Sequence, residues 1–366
     1  MIHNFKFIFL IYALFVLDFA STKSIKVFED SLDARDLQPV GRSRVTRDQL
    51  ELISSGVYFG FSFKGKQCRI FASIPASLDH NYLQFELDGV YQKRIRITKD
   101  NSQPIIINAR KSGKHVIWIY KATEASTGPI YIQKVSAEDI QPVAPSTAPM
   151  IEFIGNSITC GAASDPSEVP CGSGEYHDQH NAYYAYGPSV AKILGLNYTL
   201  SSVSGIGIYR TWNRESPSMP LVYEKLDFLE NGKRVWEFTG PRPKIVSIAL
   251  GTNDLSNGDG KSERLPFDSA RFVNDYVSFV TRVKARHAGA QIILLSSPML
   301  DSNRRQLLEN CISAVKNNID KTGPGKKVVV YFFKPMEARG CTGHPNVEDH
   351  AVLAAELVPV IKKLIR

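Results

Sequence analysis

Ile151-Glu152-Phe153-Ile154-Gly155-Asn156-Ser157-Ile158-Thr159 is the stretch on which the reading of this chain turns. An apolar run stops abruptly at a glycine, and a serine follows two residues later. A buried strand that ends this way delivers a hydroxyl to the edge of a sheet. Gly155 permits the close turn, and Ser157 falls where the next helix would begin. Gly-x-Ser turns are common, so the stretch gains its meaning from what lies downstream. Gly251-Thr252-Asn253-Asp254 closes a second apolar run, at 244–250, and Gly343-His344-Pro345 stands just before the last helical segment.

Working outward from that strand, residues 150–366 alternate between two periodicities. Nearly continuous apolar runs at 151–154, 198–202, 245–250, 292–296 and 328–333 read as strands covered on both faces. Helical patterns at 182–194, 267–287, 303–317 and 347–365 separate and follow them, with Asp268 and Asn346 placed to cap the second and the last. The alternation predicts a doubly wound α/β sheet whose ligand site lies at the carboxyl edge of its strands. Ser157, Gly205, Asn253 and His344 all follow strand ends on that one edge. Gly207 rivals Gly205 for the same place, and Asp254 reads as a structural residue bonding loop backbone.

The first half reads differently. Short strands at 57–63, 68–74, 82–87, 91–97, 104–109, 114–120 and 130–135 are separated by Asp88-Gly89, Lys99-Asp100-Asn101-Ser102 and Ser112-Gly113. Repeated strands without helices predict an antiparallel β-sandwich over 25–140. Within it His115 and Glu124 read as a polar pair at a strand edge. Residues 141–149, rich in proline and small side chains, read as the linker.

The 366 residues carry 43% hydrophobic and 22% charged side chains, an ordinary globular balance. The net charge of +8 comes from scattered basic residues, and no nucleic-acid-binding motif accompanies it. Lys6 followed by an apolar run at 7–17 predicts a signal peptide over 1–20, and hence a secreted or periplasmic protein with no membrane segment after cleavage. Five cysteines are too few for a disulfide scaffold. Cys68 and Cys311 read as packed thiols. Cys160, Cys171 and Cys341 fall in loops that should meet near Ser157, and a disulfide among them suits an oxidising compartment. The long polar loop 162–181 holds His177, Asp178 and His180. The His177/His180 pair offers metal-ligand chemistry, but no metal is expected. Trp212 reads either as an aromatic platform for a sugar ring or as a packed side chain.

Glycine-Asn-Ser at 155–157, Gly205, Gly251-Thr252-Asn253-Asp254 and Gly343-His344-Pro345, in that order, resemble the motifs of the SGNH (GDSL-like) hydrolases. The resemblance implies Ser157 as nucleophile and His344 as base. It also implies an oxyanion hole built from the backbone N–H groups of Ser157 and Gly205 and the side chain of Asn253. Two positions depart from the pattern. Asn156 replaces an aspartate of nearly the same shape. Cys341 stands where the family places the aspartate that orients the histidine, which leaves a main-chain carbonyl at Thr342 or Gly343 as the expected acceptor, with Asp349 pointing away. The stretch from Gly113-Lys114-His115-Val116 to Lys121-Ala122-Thr123-Glu124 is similar to the jelly-roll domain of the carbohydrate esterase family 2 deacetylases. That branch implies a cofactor-free serine esterase that removes O-acetyl groups from a xylan- or mannan-like polysaccharide through an acetyl-enzyme. Two other readings share these residues: a lipid or aryl esterase with the same machinery, and a carbohydrate-binding protein that has lost catalysis.

Overall fold

The computed structural model of the chain describes residues 30–322 and 325–365. The leader read at 1–20 and the expected start of the sandwich at 25 lie outside the described residues. Among the described residues nine antiparallel strands make the first half: β1 (Asp30–Asp33), β2 (Ser43–Val45), β3 (Leu50–Leu52), β4 (Tyr58–Ser73), β5 (His80–Leu87), β6 (Val90–Tyr91), β7 (Ile95–Thr98), β8 (Ile105–Lys121) and β9 (Ile130–Val143). They are ordered β2-β3-β9-β4-β8-β5-β6, with β1 paired to β9 and β7 to β5.

Several strands expected to be separate are continuous. The runs at 57–63 and 68–74 form one strand, β4, and those at 104–109 and 114–120 form β8. Ser112-Gly113, read as a turn, lies inside β8, where Gly113 faces Gly65 and the register slips before Gln67. Gly65 has φ +92°, a conformation that favours glycine. The slip serves the core. Before it Phe59, Phe61 and Phe63 point inward; after it Cys68, Ile70 and Ala72 do. The odd spacing from Phe63 to Cys68 across this slip flips the phase of the pleat, so a single bent strand lines the same core along its whole length. Burial of each of the three phenylalanines is worth about 1.5–3 kcal/mol. β9 also runs further than expected, with Pro142 opposite Phe61, so the linker shrinks to 144–149. Proline is tolerated there because the strand is about to end.

The second half is a five-stranded parallel sheet of β10 (Met150–Gly155), β11 (Asn197–Ser202), β12 (Pro243–Ala249), β13 (Gln291–Leu295) and β14 (Val329–Tyr331), ordered β11-β10-β12-β13-β14. The helices are α1 (Ser157–Cys160), α2 (Tyr186–Leu194), α3 (Met219–Val222), α4 (Ser269–Arg286), α5 (Ser302–Thr322) and α6 (Val347–Ile365). Successive residues of a strand serve opposite faces. Val246, Ile248, Ile292 and Leu294 join one core with Phe272 and Phe279 of α4 and Ile312 of α5. Ile245, Ile293 and Leu295 join the other with Val190 of α2 and Leu353 and Leu357 of α6. The sheet is therefore wound on both sides, as its apolar runs predicted. Asp268 accepts a hydrogen bond from Arg271 N at 2.9 Å and Asn346 from Asp349 N at 2.8 Å, the two expected caps. No helix among the described residues is long and apolar enough to cross a membrane.

Arg42 pins the two domains together. It is fully buried, donates to the main-chain oxygens of Lys225 and Tyr223 at 2.7 Å each, and lies 4.1 Å from the centre of the Phe228 ring. Beside it the Tyr58 ring packs on Tyr120 and Tyr198 at 5.5 and 5.2 Å.

Candidate active site

Gly155 ends β10 so tightly that a Cβ there would stand 2.0 Å from Thr159 Oγ1. Asn156 then caps α1, its side-chain oxygen accepting from Ile158 N at 3.1 Å. Asn156 is thus the cap, and Ser157 is the first residue of the helix. Its hydroxyl lies 2.9 Å from Nε2 of His344, across 187 residues of sequence.

His344 is held by a short loop anchored at several points. Cys341 forms a disulfide with Cys171. The Cys341 N–H donates to Ala163 O at 2.9 Å, and Gly340 N to His344 O at 2.7 Å. Of the three cysteines expected near the site, Cys160 is left out of the disulfide. It is buried, with its thiol 3.2 Å from Ser202 Oγ and 3.7 Å from Glu124 Oε2. Nδ1 of His344 faces the Thr342 hydroxyl at 3.2 Å, and that hydroxyl in turn donates to Cys341 O at 2.8 Å. With its own proton committed to the carbonyl, the hydroxyl can only accept from Nδ1–H. That assignment leaves the Nε2 lone pair for the Ser157 O–H. A main-chain carbonyl at 342–343 was the expected acceptor; the main chain of Thr342 does act on the ring, and the Thr342 hydroxyl adds a second acceptor beside it. Asp349 is engaged elsewhere, accepting from the Arg339 guanidinium at 2.7 Å and from Arg339 N at 2.8 Å. Among the described residues no carboxylate hydrogen-bonds to the His344 ring. Burial pushes the imidazole below its ordinary value, and the charge of a protonated His180 would push the same way. Hydrogen bonds donated by the ring to the main-chain oxygens of Thr342 and Cys341, and the charge of Glu124, oppose that fall.

The loop after β11 is equally constrained. Gly205 has φ +76°, and a Cβ on it would meet Trp212 Cδ1 at 2.7 Å. Trp212 lies over it, 41% exposed, and its main-chain N–H donates to Gly205 O at 2.8 Å. Gly207 instead packs against Asp254, whose carboxylate accepts from Ile208 N and Tyr209 N at 2.9–3.0 Å. Burial raises Asp254 to about 6 against those hydrogen bonds. Asn253 donates one amide hydrogen to Ile206 O at 2.8 Å. Its second hydrogen remains for a ligand.

Three further residues complete the site. Tyr176 OH is 3.5 Å from His344 Nε2, and the Tyr176 ring meets His180 edge-on at 4.7 Å. His180 Nε2 lies 3.2 Å from Glu124 Oε1, and its Nδ1 accepts from Ala163 N at 3.2 Å. Glu124 also accepts from Ser204 N at 2.7 Å. This corrects the strand-edge reading of His115 and Glu124. His115 pairs with Asp88 at 2.7 Å, while Glu124, 1% exposed, reaches the other domain. A charged residue three positions past a strand carries no local signal of that reach. The polar loop 162–181 did mark itself as functional by length and composition, yet nothing in it singles out Tyr176.

His177 and His180 do not converge on one point, since both nitrogens of His180 are engaged as described. His177 instead joins His80 and Asp178, with ligand atoms within 4.8 Å of one another. Asp178 already accepts from Tyr82 OH and Glu175 N at 2.7 Å each, and His80 Nε2 lies 2.6 Å from its Oδ1. The two imidazoles stack at 4.6 Å with planes 26° apart, so their in-plane lone pairs run side by side. The arrangement is a carboxylate–histidine clamp between the domains. Cavities among the described residues lie at either edge of the sheet. One of about 1200 Å³ lies at the opposite edge of the parallel sheet, beside Met150, Trp236 and Pro243. One of about 10 Å³ lies behind Asn156, between Ile158, Tyr186 and Leu353.

Residues 39–146 match the carbohydrate esterase 2 N-terminal family, and residues 153–351 match the GDSL-like lipase/acylhydrolase family. An acetylxylan esterase / glucomannan deacetylase of Cellvibrio japonicus is 28% identical over 317 residues, 82% of each chain. In fold, the chain is similar to a family two carbohydrate esterase from Cellvibrio japonicus, with a TM-score of 0.79 at 23% identity over 92% of this chain and 98% of that one. A family two carbohydrate esterase from Clostridium thermocellum, solved in complex with cellohexaose, gives 0.75 at 23% identity over 91% and 98%.

Proposed function

The chain belongs to the GDSL-like lipase/acylhydrolase family, in its two-domain carbohydrate esterase 2 branch, and we propose that it removes O-acetyl groups from a xylan- or mannan-like polysaccharide through an acetyl-enzyme. The observation that carries this reading is the 2.9 Å contact between Ser157 Oγ and His344 Nε2 at the carboxyl edge of the sheet. In the proposed reaction Ser157 attacks the acetyl carbonyl as His344 takes its proton. The developing oxyanion faces the N–H groups of Ser157 and Gly205 and the free amide hydrogen of Asn253. Collapse expels the sugar hydroxyl, which takes the proton back from His344. Water activated by the same imidazole then releases acetate and restores the serine.

One feature favours a sugar acetate over a longer acyl ester. Trp212 and Tyr176 are exposed beside Gly205 and His344, at the rim where a sugar ring would lie. The Cellvibrio japonicus relative, named for xylan and glucomannan, supports the same substrate class. Acetate release from acetylated xylan and glucomannan, measured beside butyryl and octanoyl esters, tests the reading. Acetyl polysaccharides should be turned over fastest; a preference for octanoyl esters would assign a lipid esterase instead. Export of the protein is part of the proposal, supported by Lys6 with the apolar run at 7–17 and by the Cys171–Cys341 disulfide.

Asn253→Ala should lower kcat by about 10²–10³ with little change in KM, as loss of an oxyanion donor does. A rise in KM alone would make Asn253 a binding residue.

A further inference from the structure

Resting on that reading, we propose that Glu124, a residue of the N-terminal domain, is a positioning residue of the esterase site: its carboxylate holds the oxyanion loop and supplies the negative charge that His344 lacks from a direct partner. The two domains would then share one active centre.

The geometry behind this is a buried bridge. Oε2 of Glu124 accepts from Ser204 N at 2.7 Å, one peptide before the Gly205 N–H assigned to the oxyanion. Asp254 holds the same loop from the other side through Ile208 N and Tyr209 N. The Gly205 turn is thus suspended between two buried carboxylates, one from each domain. Oε1 faces His180 Nε2 at 3.2 Å. Because Nδ1 of that ring accepts from Ala163 N, Nε2 carries the proton and donates to Glu124. The His180 ring meets Tyr176 edge-on, and the Tyr176 ring lies 6.0 Å from that of His344. Glu124 does not touch His344. It acts on it across the buried His180 ring, where a charge is felt over several ångströms.

The groups that face Glu124 keep it charged. Burial alone would raise it, but the hydrogen bonds from His180 and Ser204 hold it at about 2. Lys121, buried at the end of β8, donates to Glu124 O at 2.6 Å and Thr123 O at 3.1 Å and so fixes the turn that presents the carboxylate. Burial pulls Lys121 down to about 7 while the charge of Glu124 opposes the fall. The Cys160 thiol, pushed well up by burial and by Glu124, stays neutral beside it.

Glu124→Gln keeps the shape and an acceptor for Ser204 N but removes the charge. On an aryl acetate it should lower kcat about 10- to 100-fold with KM within about threefold of the parent. The acid limb of kcat/KM should move to lower pH, because the imidazolium of His344 loses a stabilising charge. Glu124→Asp, which keeps the charge on a shorter arm, should return the pH midpoint toward the parent while kcat stays depressed. If Glu124→Gln does not fold, the Asp variant and its midpoint carry the test. Parent kcat and midpoint in Glu124→Gln would overturn the proposal. So would a loss of activity with an unmoved midpoint, which marks a purely structural role. Ser157→Ala run in parallel separates the two ideas. Activity retained there removes the esterase assignment itself, whereas a dead Ser157→Ala beside an unaffected Glu124→Gln removes only the role of Glu124.

Discussion

Ser157→Ala should lower kcat/KM on an acetyl ester by about 10⁴-fold or more, while melting within a few degrees of the parent. The hydroxyl at the end of β10 meets His344 Nε2 at 2.9 Å, and its removal closes the covalent route. The fold should not notice. The cap of α1 is made by Asn156, and the Ser157 main chain keeps its place because Ala162 N still bonds to Ser157 O at 3.0 Å. Alanine is also the best helix former, so the first turn of α1 loses nothing. A variant within tenfold of the parent would move the nucleophile to another residue.

His344→Ala should cost a comparable factor, about 10⁴-fold, because serine then has no base within reach. The neighbour that orients the ring gives a finer expectation. Thr342 sits at φ +52°, an unfavourable conformation for a β-branched residue, and it is kept there by the disulfide next to it and the Cys341 N–H bond to Ala163. Its hydroxyl replaces the usual carboxylate. Thr342→Ser should stay near the parent rate, and Thr342→Ala should lose roughly tenfold, the lower end of what a misplaced general base costs. The acid limb of kcat/KM belongs to the His344 imidazole, which burial holds below the ordinary histidine value. Its midpoint should therefore lie below about 6.5. Loss of an acceptor that favours the protonated ring lowers it further in Thr342→Ala. An unchanged rate and midpoint in that variant would place the orienting group elsewhere.

The parallel half was legible from the sequence because its physics is local. Each apolar run, cap and glycine turn at 150–366 states its own conformation, and the alternation then brings Ser157, Gly205, Asn253 and His344 to one edge without further information. The antiparallel half was legible in kind but not in detail. The breaks expected at 64–67 and 110–113 are bends inside β4 and β8, since Gly65 and Gly113 face one another and absorb a register slip that a turn signal cannot be told from. What the sequence hid were residues whose meaning lies across the domain boundary. Arg42, Glu124 and His80 each look like ordinary polar positions near a strand. Their partners, Tyr223, Ser204 and Asp178, are about 80 to 180 residues away. The same holds for the disulfide. Three cysteines were candidates, and only the packing of Cys160 against Glu124 and Ser202 leaves Cys171 for Cys341.

The most direct test of the central claim is intact-mass and peptide mass spectrometry of the enzyme mixed with 4-nitrophenyl acetate and acid-quenched within the first turnover. The expected result is a gain of about 42 Da, one acetyl group in place of a hydrogen, on the peptide that carries Ser157 and nowhere in Ser157→Ala. Acetate released at the parent rate by Ser157→Ala, or an acetyl group on any other residue of the quenched parent enzyme, would contradict it.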